Sequence, residues 1–178
     1  MTCIVGVAER GRVWLGGDAA CVDLGWGLIG TVTAPKVFRL GELVMGYTTS
    51  FRMGQILQYG LSVPAREEGQ GDWAWLVTQL VPAIQKALGQ AGWLKQDQGR
   101  QVGGEVLIGL RGGLYRLQDD FGLTQTLTAH AAIGCGETVA MGALAVLRGQ
   151  PETRIRRALG IVADLNAYVR APFEVVHA

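Results

Sequence analysis

An apolar run that begins at the second residue constrains this chain more than any other stretch. Cys3-Ile4-Val5-Gly6-Val7, entered directly from Thr2, has the composition of a buried strand. A second apolar run, Val13-Trp14-Leu15-Gly16-Gly17, follows after Glu9-Arg10-Gly11, a polar, glycine-bearing connection of hairpin type. Residues 2–7 and 12–17 are therefore expected to be antiparallel neighbours. The second run ends in Asp18, and glycines ahead of a carboxylate allow another backbone or a ligand to come close.

Thr2 stands between Met1 and the first strand. Its small side chain permits removal of Met1, after which one residue would carry a hydroxyl and a free α-amine side by side. An α-amine, with a reference pKa of about 7.7–8.0, is partly neutral near pH 7 and is thus a base for the hydroxyl beside it.

Further along, a glycine-rich meander over residues 21–30 leads to Pro35-Lys36-Val37-Phe38-Arg39-Leu40 and Leu43-Val44-Met45-Gly46-Tyr47, a second hairpin turned at Glu42. Helical spacing begins at Ser50, an N-cap type, with Phe51, Ile56, Leu57 and Tyr59 apolar and an end near Gly60. Residues 62–71 read as a surface loop. From Asp72, the expected cap, Trp73, Leu76, Val77, Leu80, Val81, Ile84 and Leu88 recur every three or four residues. That is an amphipathic helix in which Pro82 predicts a kink or a late start. Residues 95–104 are polar and glycine-containing, the pattern of a mobile loop. Residues 105–110 and 114–117 form a third hairpin. Residues 129–133 are a strand that runs into Gly134-Cys135-Gly136-Glu137; helices follow over 138–147 and from Pro151 to about Tyr168, and 173–176 is a last strand. This order predicts an α+β fold, two antiparallel sheets facing each other with helices outside, in a single domain spanning 1–178.

Composition narrows the function classes. A net charge of +1 supplies no field to attract a polyanion, so nucleic acid is not expected as a partner. No apolar run approaches the roughly 20 residues of a membrane span, and the start lacks the pattern of a signal peptide, so the expected place is the cytoplasm, away from any membrane. Three cysteines without a CxxC pair argue against a disulfide framework or a structural zinc site. Two histidines, His130 and His177, make a His-based triad or metal site hard to assemble; no metal and no cofactor are expected.

The pieces TCIVGV at the start, GGD at Gly16-Gly17-Asp18, PKVFRL around Lys36, VMGY at Gly46 and IGCGETVAMGAL in the second half resemble, in that order, the N-terminal-nucleophile hydrolases of the proteasome β-subunit and HslV type. The resemblance implies a four-layer αββα sandwich, an active site at one end of the sheets, peptide or protein substrates and a homo-oligomeric ring. An ATPase unfoldase partner follows by analogy only. Residue by residue, it makes Thr2 the catalytic threonine, Asp18 the acidic residue two strands in, Lys36 the active-site lysine and Gly46 the oxyanion-hole glycine. Cys135 falls where the family's glycine turn carries serine, and a thiol is a weaker donor than a hydroxyl. By the same analogy the substrate pocket lies near Cys21, Val44 and Thr48. Where many members have an aspartate and a serine-glycine pair after the last helix, this chain has Asn166, Val169, Arg170 and Ala171, with Asp164 earlier; residues 50–55 also lack the family's small-residue pattern.

Each assignment has a plain structural alternative. Thr2 is also a strand start, Asp18 a turn former, Lys36 an exposed edge lysine, Gly46 a close-packing glycine and Cys135 a small turn residue. Cys3 alternates away from Thr2 and reads as core; Glu137 suits the N-terminus of its helix. The function expected from the resemblance is a threonine-type peptidase or amidohydrolase. Its alternatives are an inactive scaffold of the same fold and an acylase of small amides.

Overall fold

The computed structural model describes residues 1–178 apart from Leu24 and Gln98, and apart from the side chain of Arg100. Two antiparallel sheets form its centre. Strands β1 (Cys3–Glu9) and β2 (Arg12–Gly17) pair as the N-terminal hairpin, with Ile4 opposite Gly17. They lie between β12 (His130–Gly134) and β13 (Glu174–His177), giving the order β12-β1-β2-β13. The second sheet has the order β11-β10-β9-β6-β5, from β5 (Val37–Leu40), β6 (Leu43–Tyr47), β9 (Val106–Leu110), β10 (Gly113–Leu117) and β11 (Leu123–Gln125).

Three apolar cores stack through this arrangement and explain its layers. Ile4, Val13, Leu15, Val37, Val44, Leu107 and Ile133 interdigitate between the two sheets. Alternate residues of β1, Cys3, Val5 and Val7, face the other way, onto Ala140, Leu144, Ile155, Leu159 and Val162 of α4 (Glu137–Val146) and α5 (Pro151–Leu165). On the far side, Met45, Tyr47, Ile108 and Tyr115 pack beneath Met53 and Leu57 of α1 (Phe51–Gly60) and Leu80, Ile84 and Leu88 of the next helix. Strands buried on both faces read as continuous apolar runs, which is why β1, β6 and β9 show little polar alternation. The result is the αββα sandwich expected from the resemblance.

The sequence and the structure part at several elements. Ser50 caps α1 as expected, its side chain accepting from Arg52 N at 3.1 Å. Asp72 does not cap the following helix: its carboxylate is taken by Arg66, and the residue lies inside the first turn, after Gly71. The helix makes no late start at Pro82; its irregularity there is a π-helical turn. The helix runs through α2 (Asp72–Trp75), a π-helical turn (Leu76–Leu80) and α3 (Val81–Gln90), and the wide turn ahead of Pro82 accommodates the residue that brings no N–H. The meander over 21–30 contains a ribbon, β3 (Ala20–Asp23) with β4 (Leu28–Thr31); Leu24, between them in sequence, lies outside the described residues. The expected mobile loop over 95–104 also contains paired strands, β7 (Lys95–Asp97) and β8 (Arg100–Val102), around Gln98, likewise outside them. Tyr59 is 78% exposed instead of lying on the apolar stripe. Helix α5 stops at Leu165, three residues short of the expected end, because Asn166 leaves helical geometry. No described helix is long and apolar enough to cross a membrane.

Candidate active site

Thr2, Asp18 and Lys36 are brought together at one end of the sheets, and all three are buried. The hairpin register does much of this. Ile4 opposite Gly17 puts the start of β1 beside the end of β2, so Asp18 leaves the sheet next to Thr2 and Cys3. The Asp18 carboxylate is held by main-chain donors on both oxygens: Oδ1 accepts from Cys3 N at 3.0 Å and Oδ2 from Ala20 N at 2.8 Å. Lys36, directly ahead of β5, donates its Nζ to Asp18 Oδ2 at 3.0 Å and to Ala20 O at 2.7 Å, and lies 5.7 Å from the centroid of the Phe51 ring. Gly17 has no side chain to obstruct this crossing; a Cβ there would lie 3.4 Å from Lys36 Cβ. With side chains 2% and 0% exposed, Lys36 and Asp18 form a desolvated ion pair that stands because of its added hydrogen bonds, and Lys36 is no edge residue in solvent.

Thr2 and Lys36 line one pocket of about 260 Å³, together with Met1, Cys21, Thr49 and Phe51. Thr2 Oγ1 donates to Met1 O at 2.6 Å, and Met1 itself is 45% exposed. Thr2 O is clamped from the opposite side by Cys135, whose backbone N donates at 2.9 Å and whose Sγ lies at 3.3 Å. Gly134, at φ 92°, makes that approach possible, since a Cβ there would sit 2.2 Å from Thr2 O. Asn166 joins the same turn by donating Nδ2 to Cys135 O at 3.1 Å, whereas Asp164 is exposed on α5. Cys3 is not a rival nucleophile: burial, then the Asp18 carboxylate, push its thiol up to about 12, so no thiolate forms near neutral pH.

Three of the expected positions lie elsewhere. Gly46 sits inside β6 between β5 and β9. Because Thr48 N donates to Glu105 O, the alternation of the antiparallel ladder commits Gly46 N to Leu107 O, leaving it no free donor for a ligand. The glycine is required for packing instead: a Cβ would approach Ile4 Cγ2 to 2.5 Å between the sheets. Gly46→Ala is accordingly expected to lower stability by about 1–3 kcal/mol through overpacking, with Ile4→Leu, which has no Cγ2 methyl, recovering part of the loss in a denaturant titration. Val44 is fully buried in the core between the sheets, together with Val13 and Leu107, and does not line the Thr2 pocket. Thr48 lines a neighbouring, larger cleft of about 800 Å³ that contains no Thr2. Cys21 alone of the three expected substrate contacts lines the Thr2 pocket.

Thr49 is the residue that sequence reasoning passed over. It has φ 73°, a left-handed conformation uncommon for a branched side chain, it lines the Thr2 pocket, and its N–H has no acceptor among the described residues. A run of Thr-Thr-Ser between a strand and a helix gives no hint of a positive φ, because that conformation is usually announced by glycine.

Searches against protein-family models and against curated proteins find no match. Solved structures do match, over 99% of this chain. The BPH protein of Thiobacillus denitrificans superposes with a TM-score of 0.82 at 18% identity, covering 97% of that chain. The same protein in complex with Epoxomicin gives 0.77 at 17% identity over 98% of that chain. Eukaryotic HslV from Trypanosoma brucei gives 0.68 at 19% identity over 98% of that chain. The fold is that of the proteasome-type N-terminal-nucleophile hydrolases. In this proteasome-type fold, Thr2 opens the strand that lies at the centre of the first sheet, with Asp18 and Lys36 at the same end.

Proposed function

We propose that the chain is a threonine-type peptidase or amidohydrolase in which Thr2, freed of Met1, is the nucleophile. One observation carries this reading: Thr2 and Lys36 line one pocket, and the Lys36 ammonium is held there by the buried carboxylate of Asp18. Removal of Met1, whose side chain is accessible, turns the Thr2 nitrogen from an amide into an amine. That amine takes the proton of Oγ1 as the oxygen attacks the substrate carbonyl. The Lys36 ammonium disfavours a second positive charge on the amine, and Asp18 fixes the lysine in place. The Thr49 N–H, in place of Gly46, stabilises the tetrahedral oxyanion. Collapse breaks the C–N bond, the leaving amine takes the proton from the Thr2 nitrogen, and water then hydrolyses the Thr2 ester. Cys135 holds Thr2 O and needs no proton-transfer role. Cys21 and Phe51 form the wall nearest the substrate side chain.

The reading includes a homo-oligomer of identical copies, supported by large apolar side chains left exposed at Trp26, Leu28 and Tyr59. The cysteines Cys3, Cys21 and Cys135 are free, which fits a reducing cytoplasm.

Intact mass tests the proposal. The expected result is loss of Met1 in the purified protein and addition of one molecule of Epoxomicin at Thr2. Retention of Met1 with no labelling would instead favour the inactive scaffold, and turnover of acyl amides but not fluorogenic peptides would favour the acylase. Thr49→Gly, which keeps the N–H and relieves the positive φ, is expected to preserve activity and to be neutral or stabilising by up to about 1 kcal/mol. A large loss of kcat in that variant would remove Thr49 from the oxyanion role.

A further inference from the structure

Beside the Thr2 pocket, a single guanidinium joins the second sheet to the start of α4. Arg116 of β10 directs Nε and Nη2 to Glu105 Oε1, at 3.1 and 2.5 Å, and Nη1 to Glu137 Oε1 at 2.8 Å. Each carboxylate belongs to a segment that frames Thr2. The backbone oxygen of Glu105 accepts from Thr48 N at 3.1 Å and so anchors the turn carrying Thr49. Glu137 is the first residue of α4, immediately after the turn whose Cys135 N–H and Sγ hold Thr2 O. Arg116 lines the larger cleft, not the pocket of Thr2.

We infer that Arg116 is a positioning residue that sets the spacing of these two turns, and through them the placement of Thr2 against the Thr49 N–H. The inference rests on the reading of Thr2 as nucleophile. Its physical basis is that the guanidinium draws two carboxylates to one point. Without it, Glu105 and Glu137 repel, and both turns lose the group that ties them together. The side chains of Arg116, Glu105 and Glu137 are 31%, 27% and 35% exposed, so solvent weakens the pairing and its contribution to global stability is small. Geometry at a reacting centre is far more sensitive: a misplacement of about 1 Å costs on the order of 10²-fold in rate. A charge that only favours the N-terminus of α4 would account for Glu137 but not for its sharing a cation with Glu105.

The test compares the wild type with Arg116→Gln, Arg116→Lys and Arg116→Gln/Glu137→Gln, with kcat normalised to Thr2 sites titrated by Epoxomicin. Arg116→Gln is expected to lower kcat per titrated site by about 10- to 10²-fold with KM within about two-fold. The Thr48 and Cys135 amides should exchange faster with solvent at a nearly unchanged Tm. Arg116→Lys, which keeps the charge, should recover part of the rate. The double variant should be no worse than Arg116→Gln, since the second carboxylate charge is gone. Unchanged kcat per titrated site overturns the inference, as does unchanged exchange at both amides or a loss confined to Tm and to the fraction of titratable sites. A wild type that neither labels nor turns over sinks the Thr2 reading and the catalytic consequence together, while amide exchange still decides whether Arg116 holds the turns.

Discussion

Thr2→Ala is expected to abolish both turnover and Epoxomicin labelling while leaving the fold intact. The contacts that fix residue 2 are made by its backbone: Thr2 O receives the Cys135 N–H and Sγ, and Cys3 N is tied to Asp18. Among the described residues, the side chain's only hydrogen bond is donated to Met1 O, a partner that leaves with Met1. Alanine therefore removes the oxygen proposed to attack and little else. Loss of the nucleophile in hydrolases that work through a hydroxyl lowers kcat by as much as about 10⁶-fold, so residual rates should fall to the assay floor. Thr2→Ser, which keeps the hydroxyl, should retain labelling. Turnover by Thr2→Ala above a mock preparation would place the nucleophile elsewhere in the chain.

Lys36→Ala should fail in two ways at once. Turnover should fall by about 10²–10⁴-fold, the usual scale for removing a group that governs proton transfer. Stability should fall too, because the change strands a carboxylate whose side chain is 0% exposed. Breaking a buried pair from one side costs about 3–5 kcal/mol, and the Cys3 and Ala20 N–H groups that remain on Asp18 put the expected loss at the lower end of that range. Lys36→Met combined with Asp18→Asn leaves no lone charge. It should melt closer to wild type than Lys36→Ala while remaining inactive, since it has the volume but not the cation. Chemical denaturation read beside turnover separates the two effects. A double variant as unstable as Lys36→Ala would show that the ion pair itself, and not the stranded charge, determines the stability.

The layers of this fold were legible because burial on both faces leaves long apolar runs in β1, β6 and β9, and because the helices carry stripes at helical spacing. Thr2, Asp18 and Lys36 were legible because each is a polar residue at the border of such a run. What stayed hidden depends on the main chain. A backbone N–H is present at nearly every position, so the choice between Gly46 and Thr49 turned on hydrogen-bond register and on φ, neither of which residue type reveals here. Val44 was misplaced for a related reason: strand alternation says that two faces exist without saying which one meets the pocket. The ribbon at β3 and β4 and the strands β7 and β8 are short and polar or glycine-bearing, with burial too slight to leave a pattern. Arg116 draws on partners 11 and 21 residues away in sequence, and a spacing of that kind carries no periodic signal.

The last strand has a practical corollary. Ala178 exchanges both of its backbone hydrogen bonds with Val13, at the end of β2 opposite to Gly17 and Asp18. A purification tag or an immobilising linker added after Ala178 would emerge about 13–17 Å of strand away from the pocket, four or five residues at roughly 3.3 Å each. The same tag added ahead of Thr2 would acylate the amine on which the proposed chemistry depends. Expression designs for this chain should therefore extend only its carboxyl end.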